Sequence, residues 1–334
     1  MAFLVTALAA VSFAPSAHAD DNMVFFSMGD WGGASDTAPT TASELSNGKG
    51  MDAAAAQLGK PRFVMAVGDN FYGTGIQGSE YSPRFKSTFE DAFPEASLQV
   101  PWYAIAGNHD HLGNVTAQIK YSDHSSRWRF PSQYYTYTES VTDPATGANV
   151  TTQVVYIDTV VVAGMSYQDE ASGAFVEDEP HPAQRLLQSQ LGWLEDTLKA
   201  STADFLWVAG HYPVYSHCQH GPTLKLILQV LPLLKKYKAS GYIAGHDHCS
   251  SFYQKDGLAF VVAGAGKECC YKPKHLNAIL NPGPPLFRMD AEQHYGAIGG
   301  FASFVVSSAN TTVRYHSDNG TVLYTAAPVM PRQH

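Results

Sequence analysis

Five times along the chain, a short and almost wholly apolar stretch ends in glycine followed by a polar residue. Met23–Met28 runs into Gly29-Asp30, 63–67 into Gly68-Asp69, and 102–106 into Gly107-Asn108-His109-Asp110. Phe205–Ala209 leads into Gly210-His211, and Gly241–Ala244 into Gly245-His246-Asp247-His248. Apolar runs of this kind suit strands whose two faces are both covered. Helical stretches lie between them, at Ala42–Leu58, 83–92, 183–200 and 224–238. In the last, Leu224, Ile227, Leu231 and Leu234 recur at helical spacing, and Lys235, Lys236 and Lys238 fall in the final turns. Strands alternating with helices predict an α/β core, in which ligands gather beyond the carboxyl ends of the strands. All five polar loops emerge there.

Two regions break the alternation. Residues 133–158 read as a hairpin, with Tyr134, Thr136 and Thr138 on one strand, Val154, Tyr156 and Asp158 on the other, and Gly147 in the connection. Residues 300–327 read as two or three strands, and both regions are expected to be outer strands of a second sheet. A chain of 334 residues can bury one large core or two ordinary ones. No repeat or Pro/Gly-rich linker divides it, however, and motifs spread from Asp30 to His248 must converge to act together, so 20–334 is expected to be a single domain.

The first nineteen residues hold no Lys, Arg, Asp or Glu, carry an apolar stretch over 3–14, and end in Ala17-His18-Ala19. Residues 1–19 therefore read as a signal peptide removed before Asp20, with a secreted or lumenal destination, the lysosome and vacuole included. No later apolar run approaches the roughly 18 residues of a membrane span. N-x-Ser/Thr triplets at Asn114, Asn149, Asn310 and Asn319 suit an exported chain carrying N-glycans. The net charge of −9 offers no basic footprint for nucleic acid. Cys218, Cys249, Cys269 and Cys270 allow three full disulfide connectivities, and the sequence does not choose among these and free thiols.

One glycine-polar pair is ordinary turn chemistry after any strand. Five in order are not: Asp30, Asp69-x-x-Tyr72, Asn108-His109, His211 and His246-x-His248 supply carboxylate, phenolate, amide-oxygen and imidazole donors, the ligand chemistry of Fe, Zn or Mn. A carboxylate between two cations partly neutralises their repulsion, letting them sit about 3.5–4 Å apart and clamp both ends of an in-line displacement. Asp69 is the candidate for that bridge. His246 and His248, two apart on an extended segment, can splay to different metals. A phenolate from Tyr72 suits a trivalent ion and brings colour. Asp110 and Asp247 are expected to orient ligating imidazoles. For Trp31 and Phe71, a wall of the site and a place in the core both remain open, as do a site role and a packing role for His111.

The motifs GDWGG at 29–33, GDNFYGTGI at 68–76, RFKSTFEDAF at 84–93, VPWYAIAGNHDHLGNVTAQIKYS at 100–122, GHYPVYS at 210–216 and GHDH at 245–248 resemble those of the calcineurin-like metallophosphoesterases. Within that superfamily the chain resembles the tartrate-resistant, or purple, acid phosphatases. The resemblance implies a four-layer α/β/β/α sandwich of two mixed sheets flanked by helices. It also implies a dinuclear centre: Asp30, Tyr72 and His248 on Fe(III), Asn108, His211 and His246 on a divalent Fe, Zn or Mn ion, and Asp69 across both. His109 and His220 would touch the phosphate. The implied reaction is hydrolysis of phosphate monoesters, on small molecules or phosphoproteins, by in-line attack of a metal-bound hydroxide, with His109 or His220 protonating the leaving alkoxide. Tyr72 separates this reading from the related Ser/Thr phosphatases, whose motif resembles GDxxDRG. Competing readings are a phosphodiesterase or nucleotidase on the same scaffold and a non-catalytic secreted iron-binding protein.

The sequence departs from the family pattern at Thr223-Leu224, where the resemblance leads us to expect a cysteine, so the disulfide there is absent or rewired. The segment 164–181 carries Asp169, Glu170, Glu177, Asp178 and Glu179 but no Lys or Arg. Trypsin-like cleavage is thus not expected there, and a lid over the site and a solvated loop stay open as readings of it.

Overall fold

The five apolar runs become strands, but they are divided between two sheets. The computed structural model describes residues 22–143, 146–164, 182–290 and 296–333, together with two-residue strands at 17–18, 167–168 and 175–176. A seven-stranded sheet runs Val322–Thr325, Thr311–Ser317, Gly300–Val306, Met23–Met28, Phe63–Ala66, Trp102–Ala104, Trp128–Arg129. Its C-terminal strands pair antiparallel and the others parallel. An eight-stranded sheet runs Ala17–His18, Tyr135–Thr142, Asn149–Tyr156, Phe205–Ala209, Gly241–Ala244, Leu258–Ala263, Ser250–Lys255, Phe287–Arg288.

The hairpin and the C-terminal strands therefore do not share a second sheet, as the sequence suggested. The hairpin extends the sheet of Phe205–Ala209, with Val154 opposite Trp207, and the C-terminal strands extend that of Met23–Met28, with Phe304 opposite Phe25. Cross-strand packing explains the second choice: the rings of Phe25 and Phe304 stack at 4.4 Å, and that of Phe63 continues the stack at 4.8 Å. In the hairpin, Tyr135, Tyr137, Glu139 and Val141 are buried while the alternate positions are more open.

Period-two alternation sets the layers. Phe205, Trp207 and Ala209 join the core between the sheets, where Trp207 meets Phe304 at 5.4 Å. Leu206 and Val208 face outward, against Leu194 and Leu198 of the Pro182–Ala200 helix and Leu226 and Leu234 beyond it. On the far side, the Ala42–Leu58 helix packs on Gly300–Val306 and Thr311–Ser317. The result is an α/β/β/α sandwich of two mixed sheets. Trp31 and Phe71 belong to its core: Trp31 is fully buried, with Phe93, Trp102 and Phe71 at ring distances of 5.5, 5.9 and 6.2 Å.

The helices at Ala42–Leu58 and Pro182–Ala200 match the sequence reading closely. The one expected over 224–238 is split into Leu224–Gln229 and Leu231–Lys236. Pro232 lacks an amide proton and its ring crowds the carbonyl four residues back, which breaks an otherwise continuous apolar stripe. Residues 83–92 form a wide turn, Phe85–Glu90, closed by the Asp91 amide on the Lys86 carbonyl at 2.9 Å.

Most of the expected signal peptide lies outside the described residues; Ala17 and His18 pair with Ser140 and Val141 at the sheet edge. Of the acidic segment 164–181, the strands Tyr167–Gln168 and Phe175–Val176 pair antiparallel, and its five carboxylates lie outside the described residues. No described helix is long and apolar enough to cross a membrane.

Candidate metal centre

Each sheet delivers its polar loops at the carboxyl ends of its parallel strands, and the two sets meet. Asp30, Asp69 and His246 hold their backbones at φ of 60°, 52° and 69°, a left-handed conformation that non-glycine residues adopt at a cost of about 1–3 kcal/mol. Such turns swing the side chains back over the strand ends. Two glycines make room for the carboxylates: a Cβ on Gly107 would lie 2.2 Å from Asp69 Oδ1, and one on Gly245 would lie 2.5 Å from Asp30 Oδ2. The glycines read in the sequence as turn residues are thus also required by close approach.

Tyr72 stands at the centre. Its hydroxyl lies 3.0 Å from Asp30 Oδ1, 2.9 Å from Asp69 Oδ2 and 2.9 Å from His248 Nε2. Beside this cluster, His211 Nε2 lies 3.1 Å from Asn108 Oδ1 and 3.4 Å from Asp69 Oδ2. The ring of His246 sits 5.2 Å from that of His211. Asp69 Oδ2 thus belongs to both donor groups, and ligand atoms of Asp30, Asp69 and His211 fall within 4.8 Å of one another. The donor set fits a pair of cations: one half is anionic and phenolic, the other is amide and imidazole.

Electrostatics agree. Burial pushes the Tyr72 phenol well above its usual range, and the charges of Asp30 and Asp69 push it further, so a strong Lewis acid is needed to draw its proton off. Burial alone would raise Asp69, but the charges of His211 and His109 outweigh it and hold the carboxyl well below the usual carboxylate range. Burial would lower His211, yet Asp69 and Asp30 lift it to about 9. His246, buried beside His220 and His211, is held well below its usual value and keeps a neutral, ligand-ready ring.

The imidazole partners are not those expected from sequence. His211 Nδ1 donates to the Val67 carbonyl at 2.9 Å, and His248 Nδ1 meets Glu268 Oε1 at 2.7 Å. Asp110 instead accepts the Gly107 and Asn70 amides, at 2.8 and 3.0 Å, and Asp247 accepts the His220 amide at 2.8 Å and the Gly221 amide at 3.2 Å. These two aspartates hold loop backbone instead. His111 takes a buried ion pair with Asp158 at 2.7 Å.

His109 and His220 flank the donors. The amide of His109 donates to Asp69 Oδ1 at 2.9 Å, its ring nitrogen Nδ1 meets the Gly73 carbonyl, and its ring lies 4.4 Å from that of Tyr72. His220 stacks on His246 at 4.3 Å. The loop carrying His220 is tied to the loop carrying His248 by the Cys218–Cys249 disulfide. Cys218, two residues before His220, thus gives this loop a bridge of its own.

Sequence reasoning passed over Arg84, Lys267, Glu268 and Tyr271. Buried Arg84 donates to the carbonyls of Tyr72 at 2.9 Å and Gly32 at 3.1 Å, fixing the tyrosine loop. Tyr271 stacks on His248 at 4.3 Å. Lys267 places its ammonium 4.1 Å from the Tyr72 ring centroid. For Lys267, Glu268 and Tyr271 the available signal was their position just after Gly264-Ala265-Gly266, since glycines packed on Asp30 mark a segment reaching the site.

Residues 23–250 match the family model described as calcineurin-like phosphoesterase. The chain is 40% identical to tartrate-resistant acid phosphatase type 5 of Sus scrofa over 304 residues, covering 90% of this chain and 85% of that protein. It is 40% identical to the Homo sapiens protein of the same name, covering 90% and 89%. Purple acid phosphatase 17 of Arabidopsis thaliana is 27% identical, with 93% and 86% covered. Among solved structures, GAP50, the anchor in the inner membrane complex of Plasmodium, shares the fold at a TM-score of 0.73 and 22% identity, covering 94% of this chain and 90% of that one.

Proposed function

From the premise that the chain belongs to the calcineurin-like phosphoesterase family and is an acid phosphatase of the purple, tartrate-resistant type, we propose a division of labour among its site residues. Asp30, Tyr72 and His248 would hold Fe(III), Asn108, His211 and His246 would hold a divalent ion, and Asp69 would be shared between the two sets. The observation that carries this assignment is the shared oxygen of Asp69, 2.9 Å from the Tyr72 hydroxyl and 3.4 Å from His211 Nε2. A dinuclear centre held there would supply Lewis acidity and lower the pKa of water. His109 and His220 receive the phosphate of a monoester, and one of them passes a proton to the leaving oxygen. Asp247, through the His220 amide, and the Cys218–Cys249 bridge hold His220 toward the same cleft. Nothing in the comparisons favours a diesterase, a nucleotidase or a non-catalytic iron carrier.

Metal analysis with a visible spectrum tests the assignment. Wild-type protein is expected to carry two metals, at least one of them iron, and to be coloured. Tyr72→Phe is expected to retain the fold and lose the visible phenolate-to-iron band; an iron-loaded wild type without colour in any redox state would sink the role of Tyr72.

For His220→Ala, kcat is expected to fall by about 10²–10⁴-fold, the usual contribution of a positioned acid, with both metals retained. Metal loss in that variant would make His220 a ligand instead.

We also propose export with removal of residues 1–19, and glycans at Asn149 and Asn319, which are exposed. The Asn114 amide is less open to modification, because its Nδ2 donates to the Gly78 carbonyl at 2.7 Å.

A further inference from the structure

In a chain of net charge −9, a lysine lies beside the centre. The ammonium of half-buried Lys267 lies 4.1 Å from the centroid of the Tyr72 ring, and the same ring touches His109 at 4.4 Å. Lys267 is therefore one aromatic ring away from a histidine assigned to the phosphate. No carboxylate pairs with its ammonium among the described residues. The adjacent Glu268 is turned instead to His248 Nδ1, at 2.7 Å.

The backbone that presents this lysine is held from behind. Ser43 Oγ and Asn47 Nδ2 both donate to the Gly266 carbonyl at 2.9 Å, and Thr41 Oγ1 donates to the Lys267 carbonyl at 3.2 Å. Thr41 is also the N-cap of the Ala42–Leu58 helix, in a reciprocal capping box with Glu44. Three side chains of one helix start thus fix the stem of Lys267, while its four-carbon arm leaves the charge free to adjust.

We propose that Lys267 is a specificity-determining residue that receives a second anionic group of the substrate, so that the enzyme favours phosphate monoesters bearing a carboxylate or further phosphate close to the scissile ester. This inference rests on the proposed placement of the phosphate between His109 and His220. The scissile phosphate is served by the metals and those two histidines. Lys267 reaches the same Tyr72 ring that His109 packs against, so its charge is the one left to meet a further anionic group of the monoester. A charge-assisted hydrogen bond to a partly screened lysine contributes about a tenfold preference.

The test compares 2-phosphoglycolate, with a carboxylate beside its ester, and phenyl phosphate, which has none, on the metal-loaded wild type, Lys267→Met and Lys267→Arg. In Lys267→Met the kcat/KM ratio of phosphoglycolate to phenyl phosphate is expected to fall about tenfold, mainly through KM. Metal content, the visible band and phenyl phosphate turnover should hold, and Lys267→Arg should recover most of the ratio. High salt should narrow the wild-type ratio toward that of Lys267→Met. An unchanged ratio, or an equal loss on both substrates with a shifted visible band, would overturn the proposal and leave Lys267 as a partner of the tyrosine alone. Wild-type protein that hydrolyses neither ester would instead bring down the phosphatase reading, and this proposal with it.

Discussion

Asp69→Asn should leave the fold standing and lower kcat/KM by about a thousandfold or more, with less than two metals per chain. Asparagine tolerates the left-handed backbone of this position and can accept the His109 amide as Asp69 Oδ1 does at 2.9 Å. The change therefore falls on Oδ2, which becomes an amide NH2 that carries no charge and can neither accept from Tyr72 nor hold a cation. It removes the anion that stands between the Tyr72 and His211 halves, 2.9 Å from one and 3.4 Å from the other. A metal clamp supplies several kcal/mol of transition-state stabilisation, and about 1.4 kcal/mol is a decade in rate. Elemental analysis and steady-state kinetics on one preparation check this. Two metals per chain with turnover within tenfold of wild type would mean that Asp69 does not bridge.

Replacing both Cys218 and Cys249 by alanine is expected to destabilise the protein by roughly 3–4 kcal/mol, the chain-entropy value for a bridge whose cysteines are 31 residues apart. For a chain of this length that is a fall in Tm of about 5 °C. The larger effect should be on the site. The bridge joins the loop of His220 to the loop of His248, so its loss frees two walls of the cleft to part. A metal affinity weaker by about 10–100-fold, the cost typical of losing a group that supports a ligand, is expected. Calorimetry of the metal-loaded protein and competition with a chelator measure the two effects. Unchanged metal affinity with only a lowered Tm would show that the bridge supports the fold and not the centre.

Local chemistry made much of this protein legible. Each motif strand could be read because an apolar run followed by Gly and a polar residue is a local signal, and the helix starts at Thr41 and Pro182 obey capping and proline rules within a few residues. Asp30, Asp69, Tyr72, Asn108, His211, His246 and His248, proposed as the metal ligands, could be picked out together because their types and order survive without coordinates.

Other features depend on groups far apart in the chain. Whether Gly300–Val306 extends the sheet of Met23–Met28 or forms another is decided by Phe304 stacking on Phe25, a contact across nearly the whole sequence. Trp31 falls in the core because the rings of Phe93, Trp102 and Trp128 reach it there. Asp110 and Asp247 seemed placed to orient imidazoles, yet His211 and His248 find their partners in Val67 and Glu268, segments that only the fold brings beside them. The pairing of Cys218 with Cys249 depends on two loops from neighbouring strands meeting. Lys267 acquires its meaning only from the ring of Tyr72 beneath it. Strands, turns and donor types follow from a few adjacent residues and so could be read along the chain. The face, partner and neighbour each one takes are set by contact energies between segments that chain order does not bring together.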